Sequence, residues 1–360
     1  MKYMENTHST NRSTNQSNIL QDKTILITGG TGSLGQKLVV RILTGELGLP
    51  SKVIVFSRDE AKQYQMLLHW KQEFAATEEI IYRDPSDILE FQIGDVRNFQ
   101  SVQGALRNVE IVINAAALKQ VPSCEYFPFE AVQTNINGAN NIVTAIANND
   151  LRVDTIVCVS TDKACKPVNV MGMTKSIQER IFIEGNLKCP QTRFICTRYG
   201  NVLASRGSVI PLFMEQIEKG GPVTITLPEM TRFMMSLGKS VDTIFAAIKN
   251  ANRGETYIPK VPSAKIIDIA DVMIGNREIE IKSIGIRPGE KVHEVLISEE
   301  ECYRTIDRGD CFAIQSILPE LRSYEEITNC LNREYTSKDA LMSKEEIREL
   351  LSNQNLLIAD

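Results

Sequence analysis

Residues 24–35 read Thr24-Ile-Leu-Ile-Thr28-Gly29-Gly30-Thr31-Gly32-Ser33-Leu34-Gly35, and this order decides the fold. A short apolar strand runs straight into a glycine-rich turn, and a helical pattern follows over 33–44. Glycines 29, 32 and 35 fit the spacing G-x-x-G-x-x-G at the junction. In a dinucleotide site they supply a tight turn, close backbone approach to a pyrophosphate, and close packing of helix on strand. The helix N-terminus then offers free N–H groups and a favourable dipole to the same phosphates. Gly29, Thr31, Gly32, Ser33, Leu34 and Gly35 are therefore candidate cofactor-binding residues.

Working outward, strands are expected at 52–57, 89–93, 110–115, 154–160 and 192–197, with helices at 59–74, 128–148 and 170–184. This alternation predicts an α/β chain with a Rossmann-like, doubly wound parallel sheet. Residues 1–22, rich in Asn, Ser and Thr, read as a disordered arm. Residues 23–204 read as the dinucleotide-binding domain, to which some later segments return. Residues 75–87 make a polar excursion within it. From 205 to 320 the units shorten and Pro and Gly recur, which marks a smaller substrate-binding lobe. A tail, 321–360, carries an acidic helix at 343–351 that packs on the core or on another subunit.

Composition narrows the function. The chain has 360 residues, 42% hydrophobic and 24% charged, which suits a globular protein with a large core. A net charge of −5 gives no support to non-specific nucleic-acid binding. No apolar stretch approaches the ~20 residues that span a bilayer, and no apolar signal core opens the chain, so a cytoplasmic location is expected. The eight cysteines show no Cys-x-x-Cys pair and read as buried thiols, with Cys165 closest to the expected site. Three histidines leave no room for a His-based triad or a His-rich metal cluster, so no metal is expected.

Strand ends carry the remaining chemistry, because open parallel sheets bind ligands at their carboxyl edge. The second strand ends in Ser57-Arg58, with Lys62 a turn later. An arginine there accommodates the 2′-phosphate of NADP, whereas an acid would bind the ribose of NAD, so the reading favours NADP. Asp95 and Val96 follow the third strand and could hold the adenine. Ala115, Ala116 and Ala117 follow the fourth and let a cofactor lie close to the backbone. Lys119 lies just beyond them, and Asn135 is a cofactor candidate by spacing alone. The fifth strand ends in Thr161-Asp162-Lys163, and Met171 and Lys175, spaced i, i+4, share a face of the next helix.

With these motifs and the blocks Tyr199-Gly-Asn-Val202, Ser205-Arg-Gly-Ser-Val-Ile-Pro211, Met230-Thr-Arg-Phe233 and Gly285-Ile-Arg-Pro-Gly-Glu-Lys-Val-His-Glu294, the chain resembles a known family. It is similar to the nucleotide-sugar 4,6-dehydratases of the extended short-chain dehydrogenase/reductase superfamily, in the polysaccharide-biosynthesis branch acting on UDP-N-acetylglucosamine. The resemblance implies a redox-neutral cycle. NADP takes a hydride from C4, water is lost across C5 and C6, and the hydride returns to C6. It implies Lys163 as the C5 base, Asp162 as the acid for the departing hydroxyl, and Thr161 as the hydroxyl positioning O4. Lys175 would hold the nicotinamide ribose. Lys119, Tyr199, Asn201, Arg206, Arg232, Arg287 and Glu290 would contact the UDP-sugar. It also implies a homo-oligomer.

Met171 departs from the superfamily pattern, in which a tyrosine phenolate at that place accepts the O4 proton. Some dehydratases of the branch share the methionine, and Lys175, Asp162 or a water is expected to take over. For Lys163 to act as base, burial or a neighbouring cation must depress its pKa. The competing readings are a UDP-sugar 4-epimerase or reductase, against which Asp162-Lys163 argues, and a non-catalytic NADP-binding protein. The sequence leaves the C5 stereochemistry open.

Overall fold

The computed structural model describes residues 18–76, 88–149, 151–203, 208–322 and 330–357. Apolar runs form β1 (Thr24–Thr28), β2 (Lys52–Ser57), β3 (Leu89–Ile93), β4 (Ile111–Asn114), β5 (Thr155–Val159) and β6 (Arg193–Thr197). Apart from the edge strand β3 these are almost entirely buried, as expected where helices cover both faces of a parallel sheet. The strands are all parallel, in the order β3-β2-β1-β4-β5-β6. That is the doubly wound order, with its switch point between β1 and β4. The expected α/β, Rossmann-like class is what the chain adopts.

Shorter strands follow: β7 (Asn201–Val202), β8 (Val223–Ile225), β9 (Thr231–Met235), β10 (Thr256–Pro259), β11 (Ser263–Lys265), β12 (Ile281–Ser283), β13 (Val295–Ile297), β14 (Thr305–Asp307), β15 (Cys311–Ile314) and β16 (Tyr335–Thr336). The chain returns to the main sheet through β10, which lies parallel to β6. Antiparallel β15 and β14 then complete nine strands. The others form small sheets, β11-β9-β7, β12-β8 and β13-β16.

One face of the large sheet is covered by the helices Ser33–Leu43, Glu60–Ala76 and Leu237–Asn250, whose Leu38, Ile42, Met66 and Ile244 pack on Ile25, Ile27, Val53 and Val55. The other is covered by Phe99–Ala105, Gly138–Asn149 and Val170–Lys188, with Val102, Ile142 and Phe182 against Leu26, Ile54 and Val112. A separate core of Ile210, Phe213, Met234, Ile269 and Met273 organises the smaller lobe. Ile347 and Leu351 of the acidic helix Lys344–Asn353 are buried in it. Each such side chain contributes ~1.5–3 kcal/mol of apolar burial, so this helix belongs to the lobe's own core.

Three expectations change. The single helix expected at 128–148 is interrupted: Pro128–Ala131 passes into a π-helical turn, Val132–Asn137, before Gly138–Asn149. The turn widens where Asn135 points inward, and such widened turns recur at functional sites. The helix expected at 170–184 runs on to Lys188, its first turn capped by the Asn169 side chain, which accepts from Gly172 N–H. Of the expected arm, residues 1–17 lie outside the described residues, but Leu20 is buried against the main sheet's core. Most of the polar excursion at 75–87 also lies outside them.

Candidate active site

The loops after β1 to β6 meet at one carboxyl edge. In the first, Gly29 adopts φ +66°, and a Cβ there would lie 2.9 Å from the Ala116 backbone, so only glycine fits. Gly32 begins the helix Ser33–Leu43 with no side-chain cap, leaving its opening N–H groups without that partner. Gly32 and Ser33 are exposed, Thr31 and Gly35 are buried, and Leu34 packs against both the main core and the cluster around Tyr199. Ala115 and Ala116 donate their N–H groups to Thr28 O and Thr28 Oγ1, both at 3.2 Å, and with Ala117 they stay partly exposed. An uncapped helix start beside a wall of small residues fits a dinucleotide pyrophosphate.

At the ends of β2 and β3, Arg58 is half-exposed and lies 3.7 Å from Asp95, which also accepts from Arg97 at 2.8 Å. Asp59, the acid after Arg58, accepts the Lys62 N–H at 3.0 Å and pairs with the Lys62 ammonium. It thus caps the helix Glu60–Ala76 and is spent on that task. Ser57 is buried and held by Gln63, while Val96 is buried against the backbone of Gly138.

Asn135 is fully buried. Its amide accepts from Leu118 N at 2.9 Å and donates to Leu118 O and Thr174 Oγ1, each at 3.0 Å. Both of its N–H donors are therefore used in tying the loop after β4 to the helix Val170–Lys188. The geometry makes it a support for that loop, in place of the direct cofactor contact expected by spacing.

Beyond β5 the chain turns into a short 3-10 helix, Asp162–Ala164, capped by Thr161. Asp162 is 0% exposed, and its Oδ1 accepts from Thr161 Oγ1 at 2.8 Å and Lys163 Nζ at 3.0 Å. Its Oδ2 is buried without a partner. Lys163, 23% exposed, also reaches Asn201 Oδ1 at 3.4 Å and Glu294 Oε1 at 3.5 Å. Arg232 Nε lies 3.7 Å from the same Glu294 oxygen. Burial pulls the Lys163 pKa down, but attraction to Asp162 and then Glu294 outweighs both burial and repulsion from Arg232, so it stands above its ordinary value.

Lys175 behaves in the opposite way. It is buried, donates to Val159 O at 2.6 Å and to Gln178 Oε1, and burial lowers its pKa. Met171 is buried in an apolar cluster with Leu118, Val121, Cys124 and Ala131, so its thioether fills space. The Tyr199 side chain is also buried, which pushes its phenol pKa up, while its carbonyl accepts the Asp162 N–H at 3.0 Å. Cys165 donates to Glu301 Oε2 at 3.7 Å, and burial raises its thiol to about 12, so it is no nucleophile. All eight cysteines are free, and no metal-ligating cluster occurs among the described residues.

Beneath Asp162 lies a buried network that the sequence reading missed. Arg198, 3% exposed, donates to Glu179 at 2.7 Å and to Glu301 at 2.7 Å, and Ser160 Oγ donates to Glu179 at 2.5 Å. Glu294 was missed as well, although it closes one of the quoted blocks. Its N–H donates to Ser337 Oγ at 2.9 Å, so the segment around β16 supports the site wall. Of the other expected substrate contacts, Arg232 and Asn201 join the cluster, Lys119 and Arg287 are exposed, and Glu290 is half-buried with a partnerless Oε2. Arg206 lies outside the described residues. Thr231 and His293, hydrogen-bonded to each other at 2.8 Å, line a separate cleft of about 720 Å³ with Lys265 and Lys338.

A glycine turn and a 3-2-1-4-5-6 sheet define a Rossmann-like fold, with a buried acid–lysine pair at the end of β5. The chain belongs to the polysaccharide biosynthesis protein family, whose pattern matches residues 25–316. It is 40% identical over 341 residues to a UDP-glucose 4-epimerase of Rickettsia conorii, covering 92% of this chain and 95% of that one. It is also 40% identical to an uncharacterized membrane protein of Methanocaldococcus jannaschii, with 95% and 98% covered. Among the described residues no helix is long and apolar enough to cross a membrane. Pen from Bacillus thuringiensis superposes with a TM-score of 0.82 at 37% identity, covering 94% of this chain and 99% of that one. DesIV from Streptomyces venezuelae, a dTDP-glucose 4,6-dehydratase with NAD bound, shares the fold at a TM-score of 0.61 and 19% identity, over 75% of this chain and 86% of that one.

Proposed function

We propose that this protein is an NADP-dependent UDP-N-acetylglucosamine 4,6-dehydratase acting as a cytoplasmic homo-oligomer, with the smaller lobe holding the UDP-sugar. The observation that carries this reading is the buried Asp162 bonded to Lys163 at the carboxyl end of β5. Removing a C5 proton while expelling the C6 hydroxyl needs one base and one acid side by side, whereas a simple C4 epimerisation exchanges a proton only at O4 and needs no such pair at C5 and C6. Bound NADP would supply a reversible store for the C4 hydride. The uncapped start of the helix Ser33–Leu43 would hold its pyrophosphate, and Arg58 its 2′-phosphate.

The chain's own groups divide the proton work. Asp162 Oδ2, buried and partnerless, is the oxygen placed to carry a proton to the leaving hydroxyl. Lys163 Nζ takes the C5 proton once it has lost its own. Thr161 Oγ1, bonded to Asp162, orients O4. Lys175, whose charged form burial disfavours, exchanges the O4 proton in place of a tyrosine. Arg232 of the second lobe and Asn201, just after β6, close the site, and Lys119, Arg287 and Glu290 reach toward the UDP. The exposed Tyr126, Phe127 and Phe129, with Met173 and Ile177 of the helix Val170–Lys188, supply an apolar face for self-association.

The Rickettsia relatives support a second reading, epimerisation of UDP-glucose at C4. Incubation with UDP-N-acetylglucosamine and with UDP-glucose in D₂O, followed by mass spectrometry and proton NMR, separates the two. Dehydration gives loss of water, deuterium at C5 and a new C6 methyl signal, and the ring couplings give the C5 configuration. A C4 epimer with no C5 deuterium overturns the dehydratase. Cofactor binding with no conversion of any sugar nucleotide in a wider panel leaves a non-catalytic protein.

A further inference from the structure

The turn that carries Asp162 and Lys163 runs on into backbone that ordinary side chains avoid. Lys166 has φ +45°, and a Cβ in that left-handed region crowds the following carbonyl oxygen. It also precedes Pro167, which restricts it further. Glycine adopts this conformation freely, yet the position holds an exposed lysine. A strained residue beside a reactive pair persists only where its surroundings hold it.

The holding groups come from the segment between β12 and β13. Lys291, half-buried, donates from Nζ to the Cys165 carbonyl at 2.6 Å. The Cys165 N–H in turn donates to the Asp162 carbonyl at 3.1 Å, so the ammonium grips the peptide that joins the Asp162–Ala164 turn to Lys166. In the same segment the Gly289 carbonyl accepts from Asn169 Nδ2 at 2.7 Å, and Asn169 Oδ1 caps the helix that carries Lys175. Residues 165–169 are thus pinned at both ends. Lys166 Nζ also pairs with Glu334 at 2.6 Å, but both side chains are exposed, and such pairs hold little.

We propose that Lys291 is a positioning residue whose ammonium clamps the Cys165 carbonyl, holding the strained turn in the form that presents Asp162 and Lys163. This role rests on the reading in which those two groups perform the chemistry. Lys291 itself moves no proton. A hydrogen bond from a charged donor matches or exceeds the cost of one left-handed residue, so the clamp is strong enough for the task.

The test is a double-mutant cycle between Lys291 and Lys166. Lys291→Met removes the ammonium and keeps most of the side chain's length. Its kcat for sugar-nucleotide turnover should fall about 10- to 100-fold, with UDP affinity by calorimetry within about twofold. Lys166→Gly takes away the strain that the clamp opposes. In that background Lys291→Met should cost about tenfold less. Lys166→Ala also loses the Glu334 pair but keeps a Cβ, and should bring no such relief.

A kcat loss of the same size in all three backgrounds makes Lys291 a general structural support and overturns the proposal. So does an unchanged kcat, and so does a lost UDP affinity, which would assign Lys291 to the nucleotide. A separate readout needs no turnover: amide hydrogen exchange across residues 162–166, followed by mass spectrometry. Lys291→Met should speed exchange there about tenfold, and Lys166→Gly should return most of the protection. Equal exchange in wild type and Lys291→Met overturns the clamp. If wild type converts no sugar nucleotide, the functional reading falls, while the exchange rates still decide whether Lys291 holds the turn.

Discussion

Met171 stands on the same helix face as Lys175, but its surroundings are those of a core residue. A phenol placed there has to displace Leu118, Val121 and Cys124. Met171→Tyr should therefore cost about 1–3 kcal/mol by overpacking, seen as a lower denaturant midpoint. The pH profile of turnover should keep its shape. A new limb in that profile, with unchanged stability, would show the position to be part of the proton path. Arg58 calls for a different experiment, because it is half-exposed and its neighbouring acid, Asp59, is occupied as a helix cap. Arg58→Ala should weaken NADP binding about 10- to 100-fold, the loss of one charge-assisted bond to a phosphate, and leave NAD binding within about twofold. Equal losses for both cofactors would move the 2′-phosphate elsewhere.

At the scale of elements, the site depends on how closely the helix Val170–Lys188 approaches the turn after β5. A Cβ at Gly172 would lie 2.2 Å from the Lys163 carbonyl oxygen, so that contact exists only because residue 172 is glycine. Gly172→Ala must push helix and turn apart and carry the Asp162–Lys163 turn away from the helix that holds Lys175. We expect kcat to fall 100-fold or more, since misplacement by about 1 Å is enough for that, while UDP affinity, which our proposal assigns to the other lobe, changes little. An unaltered kcat would mean that the helix tolerates the shift. The glycine loop, the strand ends and the acid–lysine pair were legible because each is local: a few residues of fixed type at fixed spacing. The π-helical turn was not, because it arises where Asn135 meets Leu118 and Thr174. No periodicity within residues 128–148 contains that information. Glu294 was hidden for the same reason, since its partners Lys163 and Arg232 come from distant segments.

For the whole molecule, the element that joins the lobes beneath the site is the triad Glu179–Arg198–Glu301, drawn from three separate segments and excluded from water. Burial alone would raise the Glu301 pKa, but the charge of Arg198 and its hydrogen bonds, with the Ser298 N–H and Arg304, bring it down to about 2. An ordinary glutamate titrates at about 4.3, so the folded form binds the proton less readily than the unfolded form. Its contribution to stability is then fully present above that ordinary value and is lost as pH falls through the folded value near 2. A depression of roughly two units corresponds to about 3 kcal/mol. Glu301→Gln removes this contribution and leaves Arg198 with Glu179 as the one remaining carboxylate of the triad. Urea unfolding should therefore place Glu301→Gln about 3 kcal/mol below wild type at pH 7, with the gap narrowing steadily between pH 4.5 and 2. The narrowing is the decisive part. A simple packing defect at Glu301 would give the same gap at every pH, whereas a charge held in place by Arg198 must lose its advantage as the carboxylate is protonated. The Asp162 turn sits on this triad through Ser160, so the same acid range should also release the acid–lysine pair from its place at the mouth of the sheet.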